Sequence, residues 1–90
     1  MNITPEIVEN LLDTLVTPMF SEYIKSYGVI VRKSYKGDSI IVRVFLNGAE
    51  TPPLDNDEYY VIRGRIDTSV KQVLKYLSPF STDINFSIID

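Results

Sequence analysis

The chain has no cysteine and no histidine. The first absence excludes disulfides, thiolate nucleophiles and cysteine-ligated metals, and it suits a reducing compartment, so the expected location is cytoplasmic. The second removes the usual general base at neutral pH and the commonest zinc ligand. No apolar run approaches the roughly 18 residues that a membrane span needs. Met1-Asn-Ile-Thr-Pro5 carries no positively charged n-region, so no secretory signal is read there. No serine sits in a nucleophile elbow, and Gly37, Gly48 and Gly64 build no phosphate-cradling loop. Together these absences make an enzyme the least supported class. Neither a cofactor nor a metal is expected.

What remains is the composition of an ordinary globular chain: 90 residues, 44% hydrophobic and 23% charged. A chain this long buries roughly 60–65% of its unfolded surface, so residues 1–90 are expected to form one α+β domain. The net charge of −3 hides a segregation. Across residues 28–46 and 58–66, Arg32, Lys33, Lys36, Arg43, Arg63 and Arg65 face only Asp38 and Glu58. Elsewhere Lys25, Lys71 and Lys75 stand against ten acids.

The first element reads as a helix. Thr4 can cap it, Pro5 suits its first position, and Ile3 with Val8 can form a hydrophobic staple. Val8, Leu11, Leu12 and Leu15 then recur at helical spacing. Thr17-Pro18 interrupts the pattern. A second helical piece from Pro18 to Tyr27 would continue the stripe with Met19, Phe20, Tyr23 and Ile24. Further on, Asp67 can cap a helix whose face is Val70, Val73, Leu74 and Leu77 and which Pro79 ends.

Four segments alternate with period two: 28–35, 39–46, 58–66 and 83–89. A hairpin closing around Lys36-Gly37 sets Val31 opposite Val42 and Val29 opposite Val44, and opposed residues share a sheet face. The other face then carries Ile30, Arg32, Ile41, Arg43 and Phe45. A third strand over 58–66 would add Tyr59, Val61, Arg63 and Arg65 to it, with Tyr60, Ile62 and Ile66 on the core side. The expected order is α(α)-β-β-β-α-β. The expected architecture is a two-layer sandwich with a mainly antiparallel four-stranded sheet and helices on one face. Between the hairpin and that third strand, residues 47–58 read as a long acidic loop with two prolines.

All four arginines would thus lie on one open sheet face among aliphatic and aromatic side chains. Arginine and aromatics are enriched at interface cores. The expected function is therefore a protein-binding or assembly module, a small subunit of a complex or a homo-oligomer, that uses this face. The alternative is single-stranded nucleic acid, stacked on Phe45 and Tyr59 with arginines on its phosphates. Against it stand an acidic pI near 4.8 and the lack of an RNP octapeptide or a GxxG loop. The bland reading is a solvated surface whose arginine stems cover their neighbours. Asp55, Asp57 and Glu58 offer oxygen ligands, but without the glycine and distal glutamate of an EF-hand loop. They are read as a solvated acidic loop able to meet arginines.

Overall fold

A computed structural model describes residues 2–47, 56–81 and 83–89. Helix α1 spans Pro5–Leu15, and its start follows the sequence closely. Thr4 is extended, and its Oγ1 accepts the Ile7 N–H at 3.2 Å, satisfying one donor that a helix start leaves without a partner. Ile3 and Val8 are both fully buried beside that cap. After Thr17-Pro18 the expected second helix does not form. A single 3-10 turn at Thr17–Met19 is followed by strand β1, Ile24–Arg32. The physical reason is a partner: Ile24 pairs with Leu46 and Tyr27 with Val44, so the strand begins four residues earlier than its alternation suggested. Tertiary pairing overrides a local helical stripe of four residues.

Strand β2, Ser39–Leu46, runs antiparallel to β1, and strand β3, Asp83–Ile89, runs parallel to β2 on its other side. The sheet is therefore three-stranded and mixed, in the order β1-β2-β3. The hairpin register differs from expectation by two residues: Val29 meets Val42 and Val31 meets Ile40. Ser34 sets it. Its hydroxyl donates to the Gly37 carbonyl at 2.6 Å and accepts the Lys36 N–H at 3.3 Å. Gly37, at φ 126°, takes a conformation that L side chains avoid. A shift of two keeps every side chain on its face, so the valines still point the same way.

The largest correction concerns residues 58–66. They are not a strand. They form the first half of helix α2, Asn56–Lys75. Ile62, Ile66, Val70, Val73, Leu74 and Leu77 make one helical stripe across what looked like two elements. Asp67, expected as a cap, lies mid-helix and pairs with Lys71 at 3.0 Å. Asp57 and Glu58 occupy the first turn, where carboxylates favour the positive end of the helix dipole. The β-α-β unit is thus β2-α2-β3, and among the described residues the sheet has three strands of mixed direction where four, mainly antiparallel, were expected.

One buried cluster joins the layers. Val8 and Leu12 of α1 and Ile66, Val70, Val73 and Leu74 of α2 meet Ile40, Val42 and Val44 of β2. Ile84, Phe86 and Ile88 of β3 pack against it, as their alternation predicted. Both helices therefore cover the same face of the sheet. Among the described residues, no helix is long and apolar enough to cross a membrane.

Tyr27 ties β1 to the 3-10 turn that follows α1, its hydroxyl lying 2.8 Å from Thr17 Oγ1. Burial pushes the Tyr27 pKa above the ordinary 10.0; the Thr17 hydrogen bond pulls it down and the Asp13 carboxylate pushes it up. The folded chain thus holds this proton more tightly than the unfolded chain does. Its stabilising contribution is complete below about pH 10 and is lost as pH rises through the raised native value. Urea midpoints taken from pH 8 upward are expected to fall more steeply in this range for wild type than for Tyr27→Phe. Equal slopes would show that the phenol titrates as if free.

Candidate binding face

With both helices on the Val42 side, the opposite side of the sheet carries no helix among the described residues. The registers lay this face out as rows across β1, β2 and β3. The first row is Arg32, Ser39 and Asp83; the second is Ile30, Ile41 and Asn85. Next come Gly28, Arg43 and Ser87, and at the far end Ser26, Phe45 and Ile89. Five expected site residues are therefore brought together: Ile30, Arg32, Ile41, Arg43 and Phe45. Ile30 is 40% exposed, which is high for an isoleucine in a strand.

Gly28 shapes this surface. A Cβ placed there would lie 3.2 Å from Phe45 Cε2, so the ring occupies space that any other residue at 28 would contest. Phe45 is the diagonal cross-strand neighbour, within reach of an aromatic side chain. The result is an open depression of about 290 Å³, lined by Gly28, Ile30, Ile41, Arg43 and Phe45, with Val29 and Glu9 also contributing. Arg43 stands between small neighbours, Gly28 and Ser87. Both Arg32 and Arg43 are exposed, and among the described residues neither guanidinium has a carboxylate or hydrogen-bond partner.

The other expected members of the face lie elsewhere, because their segment is helical. Arg63 Nη1 donates to the Tyr59 hydroxyl at 2.8 Å and Nη2 to the Ile88 carbonyl at 3.1 Å. It fastens α2 to β3. The Arg65 guanidinium sits 5.8 Å from the centre of the Phe20 ring, a cation–π contact. Val61 is 60% exposed and borders a separate groove with Tyr23, Asp57, Glu58 and Ile62. That groove adjoins Asn47, whose N–H bonds to the Tyr23 carbonyl. It thus lies where the chain leaves the described residues. Asp55 lies outside them.

Sequence reasoning missed the contribution of β3. The alternation of Asp83–Ile89 did place Asn85 and Ser87 outward, but only the parallel register with β2 puts them beside Ile41 and Arg43. The packing of the Phe45 ring over Gly28 was also missed, although a glycine within an alternating run signals a close approach. Among the described residues, no three acidic side chains converge as a metal site would require. Comparison with known proteins finds no matching family model, and neither a curated protein nor a solved structure that matches the chain.

Proposed function

We propose that the chain is a non-enzymatic binding module whose open sheet face docks a protein partner. The observation that carries this is the face itself. Ile30, Ile41 and Phe45 surround an arginine that has no partner within the described residues, at a depression that Gly28 also lines. Fully burying each large apolar side chain contributes roughly 1.5–3 kcal/mol, while a guanidinium fork matches a carboxylate. The nucleic-acid reading loses support, because Tyr59, Arg63 and Arg65 belong to α2 and only two arginines remain on the face.

A photo-reactive residue placed at Ile30 tests this in extract of the native host, with one at Tyr76 on the helical side as control. Tyr76 is 71% exposed, so both probes are accessible. The expected result is a discrete protein adduct from position 30 only, lost when Arg43→Glu is added. A nuclease-sensitive adduct at 30 would favour nucleic acid. Identical adduct patterns at 30 and 76 would return the face to a merely solvated surface.

A further inference from the structure

We infer that the partner presents an amphipathic helix to this face, with an apolar stripe bounded by carboxylates eleven residues apart, since residues eleven apart fall within about 20° of one helical face and rise roughly 16.5 Å along it. This rests on the binding-face reading and specifies its ligand. Arg32 and Arg43 bracket the Ile30–Ile41 pair: Arg32 is level with Ser39, four residues along β2 from Arg43. At the usual rise and strand spacing, their Cα atoms lie roughly 14 Å apart. The two charges and the apolar pair between them fit one helix whose acids sit at either end of its stripe.

Three further observations select a helix of another protein. β2 and β3 are a parallel pair joined through α2, which packs with α1 on the Val42 side of the sheet. Here one face has its helices and the other has none among the described residues. The outer strands of a three-stranded sheet lie about 10 Å apart, close to the roughly 10–12 Å diameter of a helix with its side chains. A second copy docked face to face would instead bring together four arginines, Arg32 and Arg43 of each, where the sheet rows supply only the two Asp83 carboxylates and Glu9 stands on α1 at the border of the depression.

The test uses the purified chain and labelled peptides of about 18 residues, each with a leucine stripe along one helical face. One peptide carries glutamates eleven positions apart at the ends of that stripe, a second carries lysines there, and a third repeats the first with a central proline. The glutamate peptide is expected to bind at least about tenfold more tightly than the lysine peptide, in a salt-dependent manner. The double variant Arg32→Glu/Arg43→Glu, checked for an unchanged circular dichroism spectrum, is expected to reverse the preference. No binding of the glutamate peptide, equal binding of the lysine or proline peptide, or no reversal would overturn the inference. A protein adduct at position 30 alongside any of these failures would leave the docking face standing and reject only the helix.

Discussion

Ile66→Ala is expected to destabilise the chain by about 2–5 kcal/mol, the range for removing a fully buried isoleucine side chain. Ile66 has no exposed surface and shares one cluster with Leu12, Val42 and Val44, so the cavity would open where both helices meet the sheet. A chain of this length has a total stability of only about 5–13 kcal/mol; the variant would be partly unfolded in mild urea. Tyr60→Ala supplies the contrast. An alternating strand over 58–66 would turn Tyr60 and Ile66 to the same side, whereas α2 leaves Tyr60 67% exposed. Its removal is therefore expected to cost less than about 1 kcal/mol. Comparable losses from the two variants in urea denaturation would contradict the helix.

Gly64 gives the second large effect, and the two substitutions there have opposite signs. It lies inside α2, and a Cβ built on it meets nothing within 4 Å. Alanine is therefore expected to stabilise the chain by about 0.5–1 kcal/mol, because glycine is a poor helix former. Proline at 64 would remove a helical N–H and press its ring on the preceding turn, at a cost of about 3 kcal/mol or more. Thermal unfolding of both variants reads the difference directly. A destabilising alanine, or a harmless proline, would mean that residue 64 is not in an unobstructed helix.

The elements most legible in the sequence were those with local chemistry at their ends. Thr4, Pro5 and the Ile3–Val8 pair mark the start of α1 without reference to anything distant, and Asp83–Ile89 alternates too cleanly to be a helix. The apolar face of the hairpin survived even an error in its register, because a slip of two preserves the sides. Residues 58–66 failed because β-branched and aromatic side chains there satisfy a period of two as readily as one of 3.6. The arbitrating signal lay further on, where Ile62 and Ile66 continue into Val70, Val73 and Leu77, well past the window that looked like a strand. The candidate face inherited this error. Its β1 and β2 members were readable from alternation alone, but the pair of arginines assigned to a third strand belonged to a helix on the opposite layer.

The two sides of β2 differ in how far the chain must travel to supply a neighbour. Against β1 the pairing closes within a few residues, Arg32 with Ser39, whereas against β3 every partner lies 44 positions later, from Ser39 with Asp83 to Phe45 with Ile89. Closing the longer loop carries the greater entropic cost, so the hairpin is expected to form first and β3 to dock late. Arg63 joins α2 to the Ile88 carbonyl, which makes helix and strand a unit that departs together. Amide exchange in β3 is then expected to outpace that in the middle of β1; equal protection would deny the order. While β3 is away, β2 offers a row of free N–H and C=O groups to any extended chain nearby. Partial opening of this protein is therefore most hazardous at its central strand, the one that the native sheet shields on both sides.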